Sequence, residues 1–119
     1  MKVLVADDTE HVRYLVTELL RGEPEIEGVL QAMDGVEAIE IVRRERPRVV
    51  ILDVMMPHLD GLQTARLIKE EWPETRVLVM TSMREKSFER DAYAYGADGF
   101  LDKAALTTEL APAVRRLLT

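Results

Sequence analysis

Apolar residues follow two alternating rhythms along the chain. Short runs rich in Val, Leu and Ile occur at Lys2 to Ala6, roughly Val29 to Ala32, Val49 to Asp53, Val77 to Thr81 and, more weakly, Gly99 to Leu101. Between them the apolar residues recur at helical spacing. Val12, Leu15, Val16, Leu19 and Leu20 form an i, i+3, i+4, i+7, i+8 stripe that ends near Gly22 and predicts an amphipathic helix. Asp34-Gly35 turns the chain into a second helix with Ala38, Ile39 and Val42 on one face, halted before Pro47 because proline drives its predecessor out of the helical region. Asp60 is a good N-cap for a third, from about Gly61 to Trp72, stopped by Pro73. A fourth carries Phe88, Ala92 and Tyr95, the thinnest stripe of all, and ends at Gly96, a residue suited to a left-handed C-terminal cap. The last helix presents Leu110, Val114, Leu117 and Leu118, with Thr107 or Thr108 as its expected cap; Pro112 fits only near a first turn, where no helical N–H is lost.

Strands alternating with helices, the strands almost continuously apolar, predict an α/β domain whose parallel sheet is covered on both faces. The first, third and fourth strands are the most apolar and belong at its centre. At 119 residues the chain, 1–119, reads as one domain able to bury its own core. A composition of 47% hydrophobic and 32% charged residues is that of a soluble globular protein, with no run long enough to span a membrane. Met1 leads almost directly into the first strand, which leaves no room for a signal peptide, so the expected location is cytoplasmic. Cysteine is absent, which excludes disulfides, thiolate zinc sites and cysteine nucleophiles together. A formal charge of −6 argues against direct nucleic-acid binding by this chain, since that needs a basic surface.

Candidate chemistry stands at the strand ends. Asp53 closes the third apolar run and Asp7-Asp8 closes the first. If those runs are neighbouring parallel strands, three carboxylates meet at the sheet edge where open α/β sheets bind ligands. Two carboxylates about 4 Å apart repel by roughly 4 kcal/mol at an effective dielectric near 20, and a bound divalent cation is the simplest reason to gather them. Thr81 and Lys103 follow the fourth and fifth runs and reach the same rim.

The chain here resembles the receiver domains of two-component response regulators, the family of the bacterial chemotaxis regulator. The resemblance runs from Lys2 to the last helix. It rests on the Asp7-Asp8 pair, Ile-Leu-Asp-Val-Met-Met-Pro at 51 to 57 with Asp60-Gly61 behind it, Met-Thr-Ser at 80 to 82 and Gly-Ala-Asp-Gly-Phe-Leu-Asp-Lys at 96 to 103. It implies a flavodoxin-like, doubly wound, five-stranded parallel sheet of order 2-1-3-4-5. It further implies that Asp53 accepts a phosphoryl group from a histidine of a sensor kinase or phosphotransfer protein. Asp8 and Asp53 would bind Mg²⁺ directly, Asp7 would help through water, and the backbone carbonyl of Met55 would supply another oxygen. Lys103 and the Thr81 hydroxyl would hold the phosphoryl group, and Phe100 would turn inward to reshape the face of the fourth helix, fifth strand and fifth helix. That face would act on an output protein or domain, or form a homodimer on phosphorylation.

The chain departs from the family pattern in places. Ala104 rather than proline follows Lys103, as in receivers of helix-turn-helix transcription regulators. Phe100 cannot hydrogen-bond in either orientation, so packing alone decides its place. Met55 and Met83 stand two residues beyond Asp53 and Thr81, where family members differ in dephosphorylation rate. Plainer roles suit other residues. Asp34 and Asp60 each precede a glycine and read as structural caps, His11 and His58 as exposed residues without metal-ligand spacing, Met56 and Met80 as core fillers, and Trp72 as a cover for the third helix end. A magnesium-dependent hydrolase resembling the haloacid dehalogenases would need an acid where Met55 stands. A phosphorylation-independent receiver would lack a site residue, and Asp8, Asp53, Thr81 and Lys103 are all present. A dinucleotide site would need Gly-x-Gly-x-x-Gly after the first strand.

Overall fold

The computed structural model describes residues 1–83 and 86–119. Strands β1 (Lys2–Ala6), β2 (Gly28–Ala32), β3 (Val49–Asp53), β4 (Arg76–Thr81) and β5 (Gly99–Asp102) alternate with helices α1 (Glu10–Leu20), α2 (Gly35–Glu45), α3 (Gly61–Glu71), α4 (Lys86–Ala94) and α5 (Leu106–Leu118). All strand pairs are parallel and the order is β2-β1-β3-β4-β5, as the resemblance implies. The expected central strands are central: every residue of β3 is buried, as are all but the first of β1 and β4.

Because side chains alternate across a strand, the three central strands feed two separate cores. Leu4, Ala6, Val50, Leu52, Val77 and Val79 meet Ala38, Ile41 and Val42 of α2, Ala65 and Ile68 of α3 and Ala92 of α4. On the other face Val3, Val5, Val49, Ile51, Leu78 and Met80 meet Val16 and Leu20 of α1 and Leu110, Ala113, Val114 and Leu118 of α5. Met56 and Met80 are core residues, as expected. Trp72 caps α3 and is 3% exposed, with the guanidinium carbons of Arg43 and Arg46 at 5.7 and 5.4 Å from its ring centre.

Helix ends follow their sequence signals in α2 and α3. Asp34 and Asp60 cap them by accepting the backbone N–H of Glu37 and Gln63, each at 2.8 Å. Gly96 takes the expected left-handed conformation (φ 104) one residue after Tyr95, which lies just past the end of α4. Of the residues of α4, only Ala92 is buried, which matches its thin stripe.

The start of α5 corrects the sequence reading. Neither Thr107 nor Thr108 caps it; both lie inside the helix, which begins at Leu106 with Ala105 at the cap position and no side-chain cap bond. A 3₁₀ turn over Lys103–Ala105 leads straight in, and Asp102 holds it by accepting the Ala104 N–H at 2.9 Å. The helix thus begins before either threonine, and the N–H groups a threonine cap would serve lie inside α5. Pro112 is consequently the seventh residue of α5 rather than part of its first turn. Its missing N–H leaves the Thr108 carbonyl unpaired within the helix, and Thr108 lies on the solvent side.

Candidate functional site

The register carries the candidate residues to one edge of the sheet. Ala6 pairs with Leu52, so Asp7 leaves β1 beside Asp53 at the end of β3. Asp53 pairs with Met80, which puts Thr81 one step further out on β4, and Thr81 pairs with Asp102, which puts Lys103 next. Carboxylate oxygens of Asp7, Asp8 and Asp53 lie within 4.8 Å of one another. Asp7 is fully buried, Asp53 is 4% exposed and Asp8 is exposed.

Lys103 partly neutralises this crowd. Its Nζ lies 2.7 Å from Asp7 Oδ2 and 3.2 Å from Asp53 Oδ1. Burial works against its charge, but the two carboxylates outweigh burial and raise its pKa above the ordinary lysine value. One cation cannot balance three anions. Burial, followed by repulsion from Asp7, pushes the Asp53 carboxyl up to about 6 in spite of Lys103, with Asp8 adding a little more.

Between about pH 4 and pH 6 the folded chain keeps the Asp53 proton and the unfolded chain has lost it, so wild-type stability falls as pH rises through that window. In metal-free buffer Asp53→Asn is expected to melt above the wild type at pH 7, by up to roughly 3 kcal/mol. The gap should open between about pH 4 and 6 and stay level above. A gap that ignores pH in a denaturation series would count against the buried charge as its cause.

The pocket fits a hard divalent cation. All its donors are oxygens, and among the described residues Asp7 Oδ2 is enclosed without a hydrogen-bond donor, its charge met only by the Lys103 ammonium. The remaining residues form the rim. Thr81 is buried, and its Oγ1 accepts the Met83 N–H at 3.0 Å, while its own hydrogen has no acceptor among the described residues. Phe100 is half-buried against the α2–α3–α4 core and borders a cleft of about 300 Å³, along with Met83, Lys86, Glu89, Leu101, Asp102 and Glu109. Met55 and Met83 are exposed at 59% and 39%, so no acid occupies the place a haloacid-dehalogenase-like hydrolase requires.

Of the residues set aside as structural, Asp34 has the largest local role. Besides capping α2 it lies 3.1 Å from Nδ1 of His58, an exposed residue at positive φ (69) in the β3–α3 loop. The bond from Glu37 N–H, more than His58, holds the Asp34 carboxyl below its ordinary pKa. Sequence reasoning passed over Arg13. Its Nη1 donates to the Asp7 carbonyl at 2.7 Å and its Nε to Gln31 Oε1 at 3.1 Å. A signal was available, since a cation in the first turn of a helix opposes the helix dipole and needs some other partner.

The comparisons agree with this geometry. Residues 3–115 match the response regulator receiver domain. Response regulator MprA of Mycobacterium leprae is 39% identical over 120 residues, spanning 99% of this chain and 51% of its own length. A protein-glutamate methylesterase/protein-glutamine glutaminase of Pyrococcus abyssi is 37% identical over 105 residues, 87% of this chain and 28% of that protein. The chain thus spans between about a quarter and a half of these curated relatives. Among solved structures, the receiver domain of the putative response regulator NarL from Mycobacterium tuberculosis superposes with a TM-score of 0.90 at 34% identity, covering 97% of this chain and 93% of that one. The response regulator domain of Thermotoga maritima CheB gives 0.90 at 29%, covering 99% and 96%.

A five-stranded parallel sheet with an acidic pocket at its C-terminal edge is the architecture of a signalling receiver. The chain belongs to the response regulator receiver domain family of two-component systems, whose general function is a phosphorylation-activated switch. No helix among the described residues is long and apolar enough to cross a membrane.

Proposed function

We propose that Asp53 is the phosphoryl acceptor of this receiver, and that Asp7, Asp8 and Asp53, with the Met55 carbonyl, hold the Mg²⁺ it requires. The observation that carries this reading is the convergence of Asp53, two further carboxylates and one ammonium at the C-terminal ends of β3, β1 and β5. In the transfer, a carboxylate oxygen of Asp53 bonds to phosphorus as the bond from phosphorus to the donor's histidine nitrogen breaks, and the nitrogen keeps the electron pair. When bound, Mg²⁺ offsets negative charge on the transferring group. Lys103, already at the mouth of the pocket, supplies a mobile point charge to the same group. The Thr81 hydroxyl can donate to a phosphoryl oxygen.

An acyl phosphate carries about −1.5 to −2 charge in place of the single charge of the Asp53 carboxylate, beside the two carboxylates that remain, so Lys103 and Thr81 are drawn to the new oxygens. Phe100, on β5 beside the strand that carries Thr81, borders a cleft that gives its ring room to re-seat as Thr81 moves. The face of α4, β5 and α5 then differs between the two states and selects a partner, an output domain or a second copy. The donor is a sensor histidine kinase or a phosphotransfer protein, and the catalytic contribution of the chain is confined to its own phosphorylation and dephosphorylation.

Intact mass after incubation with Mg²⁺ and acetyl phosphate tests the reading. A single phosphoryl increment is expected, absent from Asp53→Asn and from a metal-free control. An increment that survives Asp53→Asn refutes the assignment. No increment in a folded, Mg²⁺-binding wild type instead makes the chain a phosphorylation-independent binding module.

A further inference from the structure

Asp7 is held at each of its backbone polar atoms. Its N–H donates to the Ala32 carbonyl at 3.1 Å, which carries the β1–β2 ladder one residue past the strand, and its carbonyl accepts Arg13 Nη1 at 2.7 Å. Its Oδ1 accepts the Thr9 N–H at 2.8 Å. Asp8, by contrast, is exposed and makes no hydrogen bond among the described residues. What aims its carboxylate is therefore the backbone that precedes it. The Asp7 carbonyl and the Asp8 nitrogen belong to one planar peptide unit, so a donor that fixes the carbonyl fixes the plane from which Asp8 departs.

We propose that Arg13 is a positioning residue for the cation site: through the Asp7–Asp8 peptide it directs the Asp8 carboxylate into the pocket shared with Asp7 and Asp53. It does so without touching the cation or the phosphoryl group. The inference rests on the site reading given above. Gln31, at the other prong of the guanidinium, anchors the fork to β2. Arg13 occupies the first turn of α1, where a positive charge opposes the helix dipole, so its placement costs the helix something that the Asp7 carbonyl and Gln31 offset. A simple staple between β2 and the β1–α1 loop would require only stability from Arg13. Positioning requires more: its loss must weaken cation binding in a chain that remains folded.

Calorimetric titration of Mg²⁺ into wild type, Arg13→Met, Arg13→Lys and Gln31→Ala, alongside their melting curves, separates the two roles. Arg13→Met is expected to bind Mg²⁺ at least about tenfold more weakly, the range seen when outer partners of metal ligands are removed. Phosphoryl incorporation at saturating Mg²⁺ should stay within a few fold of wild type. Lysine can make the single bond to the carbonyl and should recover part of the affinity, and Gln31→Ala should lose less than Arg13→Met. Wild-type Mg²⁺ affinity in folded Arg13→Met overturns the inference, whatever its melting temperature. If Arg13→Met does not fold, unchanged affinity in both of the other variants overturns it. A wild type that takes up no Mg²⁺ defeats the site reading and this inference together, whereas equal binding by wild type and variant defeats the inference alone.

Discussion

A Gly61→Ala chain is expected to be strongly destabilised, losing more than about 4 kcal/mol, an unusually large cost for the addition of one methyl group. The methyl would sit 2.0 Å from the Asp53 carbonyl oxygen, 2.7 Å from its carbonyl carbon and 2.9 Å from Val54 Cα. All three are main-chain atoms, so no side chain can rotate away. The Gly61 N–H also donates to the Val54 carbonyl at 2.9 Å, which ties the first residue of α3 to the chain just beyond β3. Relief would need α3 to lift off the sheet, exposing Ala65 and Ile68, both fully buried. Urea denaturation of the wild type and variant measures the loss. A cost below about 1 kcal/mol would mean that α3 docks more loosely than its contacts with β3 imply.

Lys103→Met should give the second large effect, a loss of about 3–5 kcal/mol at pH 7 without metal, the usual cost of stripping one partner from a buried ion pair. Methionine keeps most of the volume and removes the ammonium. Asp7 and Asp53 are then left buried with no cation beside either among the described residues, on a protein already at −6. Protonation of a carboxyl relieves the repulsion, and without Lys103 the Asp53 carboxyl holds its proton to a higher pH than the value of about 6 in the wild type, so the deficit should shrink as pH falls from 7 towards 6. Mg²⁺ should relieve it too, and raise the melting temperature of the variant more than that of the wild type. Thermal melts at pH 5 and 7, with and without Mg²⁺, decide the matter. A variant that melts like the wild type at pH 7 in chelator removes Lys103 from the balance of the site.

The fold was legible because its central strands are buried on both faces. Val49 to Asp53 and Val77 to Thr81 carry no polar alternation, and a sheet that hides such strands must be covered twice. The caps at Asp34, Asp60 and Gly96 were legible because each acts within a few residues of itself. The start of α5 was not, since Asp102 belongs at once to β5 and to the turn it caps, and a pattern that assigns it to the strand leaves the cap to the threonines. At the site, the sequence placed Asp53, Asp7, Asp8, Thr81 and Lys103 on one rim, and the register brings them there. Two things required coordinates. Lys103 approaches Asp7 more closely than Asp53, a matter of side-chain reach across three strands, and Arg13 works through a main-chain carbonyl, which leaves no complementary residue to find in the sequence.

Trp72 is the only tryptophan in the chain, and it lies buried at the far end of α3, under two arginines and remote from the acidic edge. Its fluorescence is therefore a built-in gauge of whether the helical layer of α2 and α3 is intact. Across a sheet whose strands span roughly 17 Å, that indole has no direct view of a cation or phosphoryl group on Asp53. Its emission therefore reports unfolding of that layer, while occupancy of the acidic edge is read separately by calorimetry or mass.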